Sequence, residues 1–288
     1  MGAIKNPQVV DLGKLWHMKT LRYLLLACLV PAALTTARAA VVSSTLHGAG
    51  SHDLDGMIAS DDLIAGQIGT ELAPFNGWHS ANSAPADQLP AFTDGAGVLG
   101  SGLTGLLNDF PGAGVPAKTV RYSIAASDIS SLSILTGNNG GDGRIFSTTV
   151  VRYSINSGGD FNLLGYFQSD PSGTINNSGS SPRYNSTLVT IYDESSPVLL
   201  SGVTDLIFEL YAVDNTAGQM RDPFDGLNPF TGVDDGLTAP IESPLVWELD
   251  VVAIPEPATL GMFALGLAAF LGRKIWLTRI CGLVTPKS

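Results

Sequence analysis

The sequence predicts an all-β protein built as an antiparallel β-sandwich. Between residues 119 and 252, runs of β-branched and aromatic residues recur at short intervals and are separated by glycine, asparagine, aspartate and proline. Several runs alternate apolar and polar residues, which is typical of strands with one buried face. Residues 41–254 contain no cysteine, so a hydrophobic core must stabilise them without disulfide bonds. These 214 residues are enough for one core of ordinary size.

Seven runs are the predicted strands of the main sandwich, which we place over residues 119–254. They cover residues 119–124, 129–136, 144–156, 161–168, 186–193, 204–213 and 245–252. The preceding residues, 41–118, are rich in glycine and aspartate, and we call them the leader. The leader is predicted to add loops and short strands to the same sandwich.

Residue parity predicts which face of a strand is buried. In the last run Trp247, Leu249 and Val251 share one parity, so we expect them to pack. Glu248 and Asp250 take the other parity and are expected to face water. In the third run the same rule predicts that Ile145, Val151, Tyr153 and Ile155 are buried and that Arg152 and Ser154 are solvated.

The order of these patterns resembles a known fold family. A strand at 133–137 is followed by an Asp-Gly-Arg loop at 142–144, by a strand at 151–156 and, at the end, by the run 243–251. This order is similar to the central and last strands of discoidin-like, galactose-binding-like domains. The resemblance implies a jelly-roll form of the sandwich over about residues 106–252. It brings no diagnostic site and therefore no sugar specificity.

The C-terminus combines a proline-rich linker, an apolar run and a basic pair. Pro255, Glu256 and Pro257 are followed by fourteen uncharged residues, 258–271. A helix of that length reaches about 21 Å, which is short for a hydrocarbon core of about 30 Å. Apolar residues beyond the basic pair can extend the buried face while the cations snorkel. We predict a transmembrane helix over residues 258–272.

The basic pair, Arg273 and Lys274, predicts a cytoplasmic tail over residues 275–288. The whole arrangement, residues 255–274, resembles the PEP-CTERM sorting signal of Gram-negative bacteria. The resemblance implies recognition by exosortase, a membrane protease-transpeptidase, and passage through an inner-membrane intermediate. It further implies removal of the tail and delivery to the cell surface or extracellular matrix. Members usually end soon after the basic cluster, whereas this chain continues to Ser288; an uncleaved single-span anchor is the alternative.

The N-terminus predicts a secretory signal peptide over residues 1–40. Two basic residues precede the apolar segment 24–34. Ala37 and Ala39 supply the small residues at the two positions that a signal peptidase reads, and we expect cleavage after Ala39 or Ala40. Met18 opens a signal of normal length and is a candidate for the true start. A lipoprotein box ending at Cys28 is the alternative interpretation.

Charge excludes one class of function. Residues 41–254 carry 24 of the 26 acidic residues and 6 of the 15 basic residues, a net charge of −18. So acidic a domain repels the phosphate backbone, and we expect no nucleic-acid partner. The same charge is compatible with binding divalent cations.

One loop, residues 221–236, collects oxygen ligands. They are Asp222, Asp225, Asn228, Asp234 and Asp235. Carboxylate and amide oxygens gathered at a bend are what Ca²⁺ needs, so this loop is a candidate calcium site. Solvated turn chemistry is the alternative, since aspartate and asparagine favour turns. A second candidate loop covers residues 138–142.

We find no catalytic motif in the sequence: no nucleophile elbow, no histidine-rich zinc helix and no cysteine nucleophile. The sequence therefore predicts a non-enzymatic surface or matrix protein with a structural or adhesive role. Its expected partners during export are signal peptidase and exosortase, and extracellular polysaccharide is a candidate partner afterwards. A carbohydrate-binding module is the alternative, followed by an uncharacterised hydrolase that would use a pair of acids.

Overall fold

The computed structural model describes residues 40–98, 103–108, 111–137, 143–173, 175, 183–214 and 219–254. Across these ranges no helix is both long enough and apolar enough to cross a membrane. The predicted transmembrane helix, the cytoplasmic tail and residues 1–39 of the predicted signal peptide lie outside the described residues.

Eight strands and short 3-10 turns make up the regular structure of the described residues. The strands are β1 (Val41–Gly48), β2 (Thr70–Glu71), β3 (Lys118–Gly137), β4 (Thr148–Ser154), β5 (Asn162–Gln168), β6 (Ser186–Asp193), β7 (Leu200–Tyr211) and β8 (Leu245–Ala253). Each of the seven predicted runs contains an observed strand or part of one, and every pairing between strands is antiparallel. The prediction of an all-β antiparallel fold is therefore confirmed.

The strand β3 organises the sheet. Its first half pairs with β2 on one side and β7 on the other, and its second half pairs with β6 and β8. The path through the sheet is β1-β6-β3-β7-β4-β5. Because β3 pairs with other strands along both its first and its second half, the strands belong to one continuous sheet. This sheet curls into a near-barrel. The jelly-roll resemblance is not contradicted by this topology.

Two of the predicted strands are a single strand of 20 residues, β3. Residues 125–128 lie between the two predicted runs. In the structure the backbone continues through them as a strand, and its register with β7 shifts between Ser123 and Ile129. Bulges of this kind bend a strand without ending it. The expectation of separate strands at 119–124 and 129–136 was therefore wrong.

The leader contributes directly to the hydrophobic core. Ile64, Phe92 and Leu107 are fully buried in the same cluster as residues of β3, β7 and β8. Burying a side chain as large as phenylalanine contributes about 1.5 to 3 kcal/mol relative to leaving it exposed. The leader also forms an eight-residue strand, β1, which pairs with β6 along its full length. Residues 41–98 are thus an integral layer of the fold.

Parity fails at the end of the third run. Val151 is buried as predicted, but Ile155 is 57% exposed and Ser154 is buried. The reason is that β4 ends at Ser154, so Ile155 lies in the following turn, where strand alternation no longer applies. The Ser154 hydroxyl donates to the Asn156 side chain at 2.6 Å, which satisfies it in the interior.

Candidate functional site

The two carboxylates of the last strand are buried. Glu248 is 1% exposed and Asp250 is 2% exposed, although parity predicted that they would face water. Trp247, Leu249 and Val251 are buried as predicted, but the register between β8 and β3 shifts at Trp247, so strict alternation is interrupted there. The prediction failed because alternation identifies the face of a strand and not what covers that face. In this chain the leader covers it.

The leader brings a third carboxylate to β8. The Leu63 N–H donates to the Val251 carbonyl at 2.9 Å, and Asp62 pairs with Val252 in an antiparallel bridge. The Asp62 Oδ1 atom accepts the Val251 N–H at 2.7 Å. These contacts fix Asp62 against the edge of β8 that β3 does not occupy.

Three carboxylates therefore converge, and we call Asp62, Glu248 and Asp250 the carboxylate cluster. One oxygen from each can be chosen so that all three atoms lie within 4.8 Å of one another. Backbone groups of the leader hold two of the side chains in place. The Gly95 N–H donates to Glu248 Oε2 at 3.0 Å, and the Ala59 N–H donates to Asp250 Oδ2 at 3.2 Å.

Several polar atoms at the cluster are buried and have no hydrogen-bond partner among the described residues. They are the second oxygens of two acids, Asp62 Oδ2 and Asp250 Oδ1, and the hydroxyl of Tyr122. A buried polar group without a partner is costly, and a buried charge costs more. Such a group therefore needs a proton, a hydrogen bond or a cation.

The electrostatics of the cluster are repulsive. Burial raises the pKa of Glu248 to about 8, and the charges of Asp250, Asp94 and Asp62 add to the shift, while the Gly95 N–H opposes it. Burial likewise raises the pKa of Asp250 to about 7, with a further contribution from Asp62. Burial also raises the pKa of Asp62 itself. A proton or a metal ion would relieve this repulsion.

No basic side chain among the described residues forms an ion pair with the cluster. Residues 41–254 include six basic side chains. Five of them form ion pairs with acids elsewhere, with nitrogen-to-oxygen distances of 2.6 to 3.4 Å. The pairs are Lys118 with Glu71, Arg121 with Asp205, Arg144 with Glu242, Arg152 with Glu209 and Arg221 with Asp214. The charged groups that shift the pKa of Glu248 are all carboxylates.

The predicted calcium loop uses its oxygens to cap its own backbone. Side-chain oxygens accept N–H groups at 2.8 to 2.9 Å in five pairs: Asp222 with Phe224, Asp225 with Ala239, Asn228 with Phe230, Asp234 with Gly236 and Asp235 with Leu237. This is the turn chemistry that the alternative interpretation describes. Among the described residues, the carboxylate cluster is the group of three acids whose oxygens lie within 4.8 Å of one another. The aspartates of loop 221–236 do not form a second group of this kind.

Calcium binding in loop 221–236 thus stays a prediction, and loop 138–142 lies outside the described residues.

Sequence reasoning missed the carboxylate cluster. The one local signal was a pair of acids two positions apart in the last strand, Glu248 and Asp250. Nothing in the sequence near Asp62 connects it to that strand.

The sorting signal begins where the sheet ends. Ala253 is the last residue of β8 and pairs with Ile129 of β3, and the Ile254 N–H donates to the Asp128 carbonyl at 2.9 Å. Outside the described residues lie the signal residues Pro255, Glu256, Pro257, Arg273 and Lys274, and the cleavage residues Ala37 and Ala39. Ala40 is described, and its carbonyl accepts the Glu194 N–H at 3.2 Å.

Comparison with known protein families identifies this C-terminal segment. Residues 253–275 match the PEP-CTERM protein-sorting motif. The match confirms the resemblance found in the sequence, and the motif implies export, processing by exosortase and sorting to the surface. A search of curated proteins found no match to this chain.

Proposed function

We propose that the chain is a cell-surface or extracellular-matrix protein whose β-domain has a structural or adhesive role and no enzymatic activity. The observation that carries the proposal is the sorting motif at residues 253–275, which begins at the last residue of β8. The acidic domain, with a net charge of −18, suits an exported protein that stays soluble and avoids anionic surfaces.

The position of the motif supports processing without damage to the fold. The ladder between β3 and β8 reaches Ala253, whereas the Pro-Glu-Pro segment starts at Pro255. Cleavage in the tail would therefore leave every strand of the sheet intact. A matrix component released in this way would keep its folded domain.

Burial of the carboxylate cluster supports a non-enzymatic role. Glycoside hydrolysis needs two acids on either side of a bond that a substrate can bring between them. Glu248 and Asp250 are covered by the leader and are almost inaccessible to solvent. A polymer substrate cannot reach this pair in the folded domain.

Processing is tested by mass spectrometry and cell fractionation of a Glu256→Ala variant. We expect the wild-type protein to lose both ends and to leave the inner membrane, and the variant to keep its tail and remain there. Glu194→Ala, which removes an exposed glutamate of the folded domain, is the matched control and should mature normally. Normal maturation of Glu256→Ala would contradict the sorting proposal.

The role of the domain is tested on the mature protein with a glycan array. A structural role predicts no selective binding. A strong, selective signal for one glycan would instead identify a carbohydrate-binding module, the alternative considered from the sequence. Sorting and ligand binding are thus tested separately.

A further inference from the structure

We propose that the carboxylate cluster binds one calcium ion, and that this ion joins the leader to β8. The site consists of Asp62 from the leader and of Glu248 and Asp250 from the last strand. It is distinct from loop 221–236, the candidate that the sequence indicated.

The geometry of the cluster fits a hard cation. Calcium binds oxygen atoms at about 2.3 to 2.6 Å, so two ligands on opposite sides of the ion are about 4.6 to 5.2 Å apart. The three carboxylate oxygens all lie within 4.8 Å of one another. This separation is compatible with one ion that binds an oxygen from each of the three residues.

The unpartnered atoms point independently to a missing ligand. Asp250 is almost fully buried, yet its Oδ1 atom has no hydrogen-bond partner within the described part of the chain. The Asp62 Oδ2 atom and the Tyr122 hydroxyl are likewise buried and have no hydrogen-bond partner there. The Tyr122 hydroxyl lies close enough for the charges of Glu248 and Asp62 to affect it. A cation would supply the interaction that the protein does not provide.

The chemistry of the ligands favours calcium over other metals. Oxygen is the only ligand atom in the cluster, whereas zinc and copper prefer nitrogen or sulfur. Magnesium requires a near-ideal octahedron with oxygens at about 2.0 to 2.1 Å, whereas calcium accepts longer distances and irregular geometry. Asp62 is partly exposed, so solvent can reach one side of the site and supply further oxygen ligands.

The test is a binding titration on the full chain in detergent. After removal of metal with EGTA, Ca²⁺ is titrated and bound ion is counted by equilibrium dialysis, while the melting temperature is followed in parallel. We expect one tightly bound Ca²⁺ per chain, a melting temperature that rises with Ca²⁺ concentration, and a much weaker response to Mg²⁺. A wild-type chain that binds no Ca²⁺, or that binds Mg²⁺ equally well, would overturn the proposal.

Variants locate the ion. Asp250→Asn and Glu248→Gln preserve shape and remove charge, and each should weaken Ca²⁺ binding by about tenfold or more. Asp235→Asn, in the loop that the sequence indicated, is the matched control and should bind as the wild type does. If Asp235→Asn loses the ion while Asp250→Asn keeps it, the proposed location is wrong.

A third variant decides the test if the two β8 variants do not fold. Asp62→Asn changes the partly exposed member of the cluster and keeps an oxygen that can accept the Val251 N–H. Near-ultraviolet circular dichroism verifies that each variant is folded. If the two β8 variants fail to fold, unchanged Ca²⁺ affinity in folded Asp62→Asn would overturn the proposal, and an affinity loss of about tenfold would support it.

Discussion

Asp62 Oδ1 accepts the backbone N–H of Val251 at 2.7 Å and thereby connects two residues that are 189 positions apart. The same oxygen accepts the Ile64 N–H at 3.2 Å. Asp62 therefore caps the open edge of β8 while its other oxygen, Oδ2, stays buried without a partner among the described residues. A single side chain thus fastens the leader to the sheet and contributes to the carboxylate cluster.

Replacing Asp62 should separate these two roles. Asp62→Ala leaves two N–H groups without an acceptor, and we expect it to lower the free energy of unfolding by about 1 to 3 kcal/mol. Asp62→Asn keeps the acceptor and should cost less. Urea unfolding of both variants at pH 7 in EGTA measures the difference. Equal stabilities for the two variants would show that the hydrogen bonds contribute little.

The metal-free fold should lose stability as the pH rises. Glu248 has an ordinary pKa of 4.5 and a folded pKa of about 8, so the folded state binds a proton more tightly than the unfolded state. The stability that this proton provides is complete below about pH 4 and is lost as the pH rises through 8. Asp250, with a folded pKa of about 7, acts in the same direction at lower pH. The neighbouring charges of Asp61, Asp62 and Asp94 reinforce the effect.

The measurement is the melting temperature between pH 5 and pH 9 in EGTA. We expect the melting temperature of the wild type to fall steadily over this range. In Glu248→Gln the profile should be flatter, because the amide does not titrate. Saturating Ca²⁺ should restore the melting temperature most strongly at high pH, where its ligands are deprotonated. A wild-type melting temperature that rises over this range would contradict the raised pKa values.

Lys118→Met should destabilise the domain strongly. The Lys118 ammonium is fully buried, donates to Glu71 at 2.7 Å and to the Gly77 carbonyl at 2.6 Å, and lies 4.3 Å from the centre of the Trp78 ring. Methionine fills the space but leaves Glu71 and the carbonyl without their donor. We expect a loss of about 3 kcal/mol in urea unfolding.

The matched control is Arg152→Met. Arg152 pairs with Glu209 at 2.6 Å, but its side chain is about one-third exposed, so solvent screens the pair. Its loss should cost about 0 to 1 kcal/mol. If both variants lowered the free energy of unfolding by the same amount, burial would not explain how much the Lys118–Glu71 pair stabilises the domain.

Gly137→Ala should disturb the core through overpacking. A Cβ atom at this position of β3 would overlap the Trp247 ring of β8. We expect a loss of about 1 to 3 kcal/mol, because the rigid ring must move. Gly56→Ala is the control, since a Cβ there meets no atom within 4 Å, and it should change stability by less than about 0.5 kcal/mol. Urea unfolding compares the two, and a neutral Gly137→Ala would show that the ring can shift freely.

Local patterns predicted the strands because strand formation leaves a local trace. Alternation and β-branched runs identified β6 at its observed bounds and β8 to within one residue. They divided β3 in two, because the run of β-branched and aromatic residues is interrupted at residues 125–128, although the strand continues through them with a shift in register. For the leader, residues 41–118, they predicted loops and short strands, since its core residues are single apolar side chains set among loops.

The sequence by itself determined the destination and the class of fold. The sorting motif is a contiguous segment that is read as a sequence, and the acidic, cysteine-free composition is independent of folding. Only the tertiary structure decided the carboxylate cluster. Parity placed Glu248 and Asp250 together on one face, but their burial depends on a leader segment nearly 190 residues away in the chain. The pairing of Asp62 with β8 is a long-range contact, and no periodicity within a strand encodes what packs over it.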